Sequence, residues 1–263
     1  MKNSINILFM LFISTCILTS CQKVIDVTLK NSSPQIVIEA NIANDSTPCT
    51  VSITKTVNFS DENNYPGVDG ASVILSDNMG HSEILQMESS GIYQSKDIFG
   101  VEGRTYTVNV IVEGKSYNAT STMPYHTNID AITVDSISFA GTTSKQVTPY
   151  YTDSSGLKNY YHLRLFVNNK MDKTVTVEND DFTDGKTVAF PLSNDLDINE
   201  GDNVRVELEC IDKSVYLYYF SLSQSQSGPN SSAAPANPVS NFSGGCLGYF
   251  SACARSSKSI LIQ

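Results

Sequence analysis

Thr105-Tyr106-Thr107-Val108-Asn109-Val110-Ile111-Val112 is the stretch that decides the fold. Tyr106, Val108, Val110 and Val112 recur in strict period two, the spacing of a strand with one face buried and the other wet. Beyond a Glu113-Gly114 turn, Lys115–Thr122 continues the pattern with Tyr117 and Ala119 in phase. Working back, Gln35–Asn41 alternates Ile36, Ile38 and Ala40, Thr50–Val57 alternates Val51 and Ile53, and Ala71–Leu75 places Val73 and Leu75 on one face. Ser82–Met87 and Ile92-Tyr93 complete the series. The breaks carry turn chemistry: Asn63-Asn64-Tyr65-Pro66-Gly67, Asp69-Gly70, Asp77-Asn78-Met79-Gly80 and Ser90-Gly91. Roughly seven half-buried antiparallel strands at spacings of about ten residues predict an Ig-like β-sandwich over residues 34–123.

Met123-Pro124-Tyr125-His126-Thr127-Asn128 interrupts the alternation, and Pro124 cannot join an interior ladder. A domain boundary is expected there, followed by a second β-sandwich over residues 129–263. Its strands are read at Ile129–Phe139, Tyr160–Val167, Thr174–Val177, Thr187–Pro191 and Val204–Ile211, with Gly248–Ser251 and Ser259–Ile262 finishing the sheet. Between them the period changes. Val215, Tyr218, Tyr219 and Leu222 fall at helical spacing behind Asp212 or Ser214 as N-cap, so a helix is expected near residues 213–226. The fold class is therefore all-β: two tandem antiparallel sandwiches, the second carrying one helix.

The chain of 263 residues has 17 basic and 27 acidic side chains, a net charge of −10. An acidic chain without a Lys/Arg cluster argues against nucleic acid as a partner. At 40% hydrophobic and 17% charged it is too apolar to be disordered. The N-terminus carries the clearest signal. Lys2 precedes an apolar run beginning Ile7-Leu8-Phe9-Met10-Leu11-Phe12-Ile13, too short to span a membrane as a mature helix. Leu18-Thr19-Ser20-Cys21 then resembles the lipobox of bacterial lipoproteins. Residues 1–20 are expected to be a lipoprotein signal peptide, Cys21 the lipidated residue and residues 21–33 an anchor linker. Three acyl chains, at about 0.8 kcal/mol per buried CH₂, hold a protein stably where one does not. Gln22-Lys23 after the cysteine favours the outer membrane, with the periplasmic and surface-facing sides both open.

Few residues invite chemistry. The three histidines, His81, His126 and His162, show no H-x-x-x-H spacing and read as solvated or structural, His162 on the polar face of its strand. No G-x-S-x-G elbow, phosphate loop or dinucleotide glycine pattern occurs, so no enzymatic activity is expected. Cys49 and Cys210 fall on apolar strand faces as small buried hydrophobes. Cys246 and Cys253, in one terminal segment, are the disulfide candidates. Two acidic loops approximate calcium loops. Asp180-Asp181-Phe182-Thr183-Asp184-Gly185 has Phe182 where an oxygen is needed. Asp195, Asp197 and Asn199 place oxygens at alternate positions, but Gly201 comes one residue late and Val206 stands where a bidentate Glu belongs. Its alternative reading is an ordinary turn before the next strand. No other metal and no cofactor is expected. Among the tyrosines, Tyr65, Tyr125, Tyr150 and Tyr151 lie in or beside turns, whereas Tyr106, Tyr117 and Tyr161 are in phase with core positions.

In order along nearly the whole chain, several segments resemble a family of Bacteroidetes outer-membrane lipoproteins known as domain of unknown function 4249. They are Ile36-Val37-Ile38-Glu39-Ala40, Gly70-Ala71-Ser72-Val73, Gly91-Ile92-Tyr93, Gly103-Arg104-Thr105-Tyr106, Asp153–Tyr161, Gly201-Asp202-Asn203-Val204 and Asn237–Phe250. Cys246 departs from the glycine-rich run of that last motif. The resemblance implies an anchored sandwich protein, often encoded beside a TonB-dependent outer-membrane transporter. The first domain is also similar to the transthyretin-like modules fused to such transporters. A lipid-anchored binding or accessory protein for nutrient uptake through a TonB-dependent barrel is the leading expectation. A structural or adhesive surface lipoprotein is the alternative, and a hydrolase built on Asp195, Asp197 and Asp202 a third.

Overall fold

The computed structural model describes residues 33–58, 64–139, 141–226 and 237–263. The signal at residues 1–20, Cys21 and the linker as far as residue 32 lie outside the described residues. Eight strands precede the Met123–Asn128 interruption: β1 Ile36–Ala43, β2 Thr50–Lys55, β3 Ser72–Asp77, β4 Ser82–Ile84, β5 Gln86–Ser89, β6 Ile92–Gln94, β7 Thr105–Val112 and β8 Lys115–Thr122. Seven follow before the helix: β9 Ile129–Phe139, β10 Thr142–Thr152, β11 Tyr160–Val167, β12 Lys170–Met171, β13 Thr176–Asn179, β14 Thr187–Ala189 and β15 Asn203–Cys210. Helix α1, Lys213–Gln226, and strand β16, Leu247–Leu261, complete the order.

These strands make three sheets in an all-β, sandwich-like fold. A nine-stranded sheet runs β12-β11-β15-β16-β1-β2-β6-β5, with β13 also on β11; a four-stranded sheet runs β4-β3-β7-β8 and a three-stranded one β14-β10-β9. The expected boundary does separate β8 from β9, yet the large sheet does not divide there. β1 pairs in parallel with β16, Val37 opposite Leu247 through Ala43 opposite Cys253, so strands from both sides of the interruption share one sheet. They also share one core, from Ile38, Val51, Val108 and Tyr117 to Ile132, Tyr151, Leu163, Leu208 and Phe250. At the β1–β16 ladder, Gly248 has φ +97° and lies against its partner Ile38 so closely that a Cβ would sit 2.0 Å from the Ile38 carbonyl oxygen. Only glycine permits that approach.

Two elements differ from the sequence reading. β10 is a full strand paired along β9, and it buries Tyr151, expected beside a turn, to 2% exposure. Its Thr-, Ser- and Lys-containing first half shows no alternation, and Pro149 argues against an interior position. The ladder tolerates Pro149 because it still accepts a hydrogen bond from Phe190 N through its carbonyl, at 3.1 Å. β16 is one strand of 15 residues rather than two short ones. Arg255, Ser256, Ser257 and Lys258 hide its middle from a hydropathy reading, but the ladder to β15 runs through them unbroken.

Helix α1 is where the spacing places it, and Asp212 is its cap. Asp212 Oδ1 accepts the backbone N–H groups of Ser214 (2.8 Å) and Val215 (3.0 Å), two of the donors a helix start leaves orphaned. Oδ2 accepts Thr122 N at 3.1 Å, so one carboxylate both starts the helix and ties it to the end of β8. The helix lies on the face of the large sheet opposite the main core. Val215 packs there with Ala43, Ile211 and Cys253, flanked by Tyr160, Tyr216 and Tyr219.

Candidate functional site

Phase along the strands decides what α1 covers. In β11, Leu163 and Leu165 point to the main core, so His162 and Arg164 point to the helix side; in β15, Val206 and Leu208 leave Glu207 and Glu209 on that side. The register sets His162 opposite Glu209 and Arg164 opposite Glu207, and β16 brings Arg255 opposite Glu209. Charges that look like an ordinary wet face are thereby gathered under a helix. Glu209 accepts His162 Nδ1 at 2.8 Å and sits 2.9 Å from Arg255 Nη2 and 3.1 Å from Arg164 Nη1. Arg255 also reaches Asp45 at 2.8 Å, and Arg205 pairs with Glu207 while lying over the Phe166 ring at 3.9 Å. His162 stacks on Tyr219, centroids 4.1 Å apart.

His162 and Glu209 are 7% and 5% exposed. A carboxylate so buried is costly unless paired. Burial alone pushes the Glu209 carboxyl up, but the His162 hydrogen bond and the charges of His162, Arg255 and Arg164 outweigh it and hold it down at about 2. Glu207 is less well served. Its buried Oε2 has no hydrogen bond, although Arg164 Nη1 is 3.2 Å away in an ion pair of poor alignment.

Above this floor is a cavity of about 390 Å³, walled by Glu39 and Asn41 of β1, Tyr249 of β16, Tyr218, Tyr219 and Leu222 of α1, and the Met171–Val175 connection. The tyrosines pack on one another, Tyr218 on Tyr249 at 4.6 Å and Tyr219 on Tyr249 at 5.1 Å. Asp172 braces the connection: its carboxylate accepts Thr174 N and Asp195 N, both at 2.8 Å. Desolvation raises the Asp172 carboxyl, and these hydrogen bonds more than offset it. The cavity has the mixed aromatic and polar lining of a small-molecule site. His162 was legible as a strand residue on a polar face; its burial was not, because nothing in the spacing says that α1 lands there.

The acidic loops separate in the structure. Asp195, Asp197 and Asn199 line a shallow hollow with Thr143–Lys145. Asp202 closes their loop by accepting Asn199 N at 2.7 Å and Asn168 Nδ2 at 2.7 Å, as an ordinary turn does. Among the described residues, the carboxylates brought within ligand distance of one another are instead Asp153, Asp180 and Asp184. Each of the three is already met by donors. Asp153 accepts the Tyr161 hydroxyl and Gly185 N, Asp180 accepts Asn159 N and the Lys158 ammonium, and Asp184 accepts Gly156 N at 2.7 Å. Lys158 bridges Asp180 and Asp181, and those bonds raise its pKa. The cluster staples two loops through hydrogen bonds to its carboxylates, with Lys158 pairing one of the three.

All four described cysteines are free and buried. The Cys246–Cys253 bridge expected from the sequence does not form. Cys253 lies within β16 and Cys246 just ahead of it, so extended backbone separates them by roughly 20 Å, against about 4.4–6.8 Å between bridged Cα atoms. Burial drives the thiols up, Cys49 to about 12 and Cys210 and Cys246 to about 11. His81 and His126 are exposed and pair with Asp77 and Glu102, both at 2.8 Å. Tyr65 and Tyr125, placed in or beside turns, are exposed, and Tyr106, Tyr117 and Tyr161, in phase with core positions, are buried.

A sandwich-like β protein with a helix-covered cavity on its large sheet is the class these features define. Within it, the chain belongs to the family described as domain of unknown function DUF4249, whose model matches residues 22–259. No curated protein matches the chain.

Proposed function

We propose that the chain is an outer-membrane lipoprotein, anchored through acylated Cys21, that acts as a binding or accessory protein beside a TonB-dependent transporter in nutrient uptake. The observation that carries this reading is the Leu18-Thr19-Ser20-Cys21 lipobox set immediately before a family match that starts at residue 22. A lipid anchor accords with the described body, in which no helix is long and apolar enough to cross a membrane. The cavity under α1 supports a binding role, since its charged floor is more elaborate than stability needs: apolar replacements of buried ion pairs are often as stable or more so. The transporter association rests on the family resemblance alone.

The test is a pull-down through a C-terminal tag from gently solubilised outer membranes, with partners identified by mass spectrometry. A barrel recovered near one-to-one with the acylated chain is the expected result. Recovery of the lipidated chain alone overturns the accessory role and leaves a structural or adhesive lipoprotein. A Cys21→Ala chain that still fractionates with the membrane overturns the anchor.

A further inference from the structure

The cavity under α1 is unevenly supplied. Its guanidinium donors are committed: Arg164 to Glu209 and Glu207, Arg255 to Glu209 and Asp45. Its acceptors are not all met. The Glu39 side chain, exposed where it lines the cavity, makes no ion pair or side-chain hydrogen bond with any described residue. His162 is held at Nδ1 by Glu209 and adds its ring to the cavity lining rather than a free acceptor. Register brings Glu39 directly beside Tyr249, and Tyr218 of the helix packs on that ring.

We propose that this cavity binds a primary ammonium group, with the Glu39 carboxylate as its counter-ion and the Tyr218 hydroxyl as a further acceptor. The proposal deepens the reading of the chain as a binding protein, and rests on that reading but not on the transporter. An ammonium carries three donors and no acceptor, which suits a carboxylate without a cationic partner beside a tyrosine hydroxyl. A neutral polyol is matched less well, because it brings no charge to meet the Glu39 carboxylate. An anion would meet the Glu39 charge, with Arg164 and Arg255 already paired to carboxylates and Lys173 exposed at the rim. Partial desolvation raises the Glu39 carboxyl, although the residue itself is exposed to water.

The experiment is calorimetric titration of the full chain in detergent at pH 8 with n-butylammonium, and with n-butanol and butyrate as isosteric neutral and anionic probes. The expected result is binding of n-butylammonium alone, weakened at least about tenfold by Glu39→Gln and to a smaller degree by Tyr218→Phe. Lys173→Ala should leave it unchanged or stronger. Unaltered melting temperatures exclude misfolding as the cause of the losses. Preference for butyrate or butanol, equal binding by Glu39→Gln, or heat from none of the three overturns the proposal. A chain that recovers a barrel but binds no amine fails on this point alone.

Discussion

The two faces of the nine-stranded sheet come from the same strands, one residue out of phase. Leu163, Leu165, Val206, Leu208, Ala252, Ala254 and Phe250 look inward, toward the two smaller sheets, and are dry and apolar. His162, Arg164, Glu207, Glu209 and Arg255 look outward and are roofed by a single helix. The difference teaches where stability and recognition reside. The inward face gains on the order of 25 cal/mol for each Å² of apolar surface it removes from water. The outward face recovers through pairing much of what burying its charges costs, and gains a shaped, charged cavity.

Substitutions on the two faces should therefore fail differently. Phe250→Ala, on the inward face, leaves a void in a fully buried site and should cost about 4 kcal/mol, read from urea denaturation. Glu209→Gln should cost about 3 kcal/mol at pH 7 by leaving Arg164, Arg255 and His162 without their common partner. Unlike the first loss, this one depends on pH. The Glu209 carboxyl is lower folded, at about 2, than its ordinary 4.5, so its contribution is complete above pH 4.5 and disappears as pH falls toward 2. Denaturation midpoints of wild type and Glu209→Gln should converge across that window, while the Phe250→Ala gap persists. If both gaps persist, Glu209 is not held ionised by its neighbours.

Smaller effects sharpen the contrast. Cys49, Cys210, Cys246 and Cys253 should resist alkylation at pH 8 in the native chain and react fully in denaturant without reductant, checked by intact mass. A mass two protons short of four thiols would restore a disulfide. Smallest of all, Asp195→Asn with Asp197→Asn should change stability by less than about 0.5 kcal/mol, and added calcium should not raise the melting temperature of either form.

The inward face was readable from the chain alone, because alternation such as Tyr106-Val108-Val110-Val112 is imposed directly by half-burial. The helix was readable for the same reason, its Val215, Tyr218, Tyr219 and Leu222 answering to a different period. β10 escaped because its polar side chains and Pro149 carry no periodic signal, and its place is set by pairing with β9. The candidate site escaped for a related reason. His162, Arg164, Glu207 and Glu209 alternate as a solvated face would, and only the tertiary placement of α1 turns that face into a cavity. A partial clue was present: opposite charges stand at matching phase in two strands that share an apolar face. The Cys246–Cys253 expectation failed because nearness in sequence was read as nearness in space, and extended backbone makes seven residues a long way.

The parallel ladder between β1 and β16 has a consequence for how the molecule comes into being. A hydrogen bond from Arg255 N to Asn44 spans 211 positions of the chain, and the ladder beside it joins equally remote segments. Contacts of such separation close slowly, since a large loop must be ordered before they form. The middle of the large sheet therefore waits for β16, far downstream of β1. Until it arrives, the edges of β1 and β15 stand open, with the aggregation hazard of unpaired strands. A holding chaperone that keeps the chain extended until β16 is available would suit this topology, and a ribosome-stalled chain ending before residue 247 should remain protease-sensitive throughout.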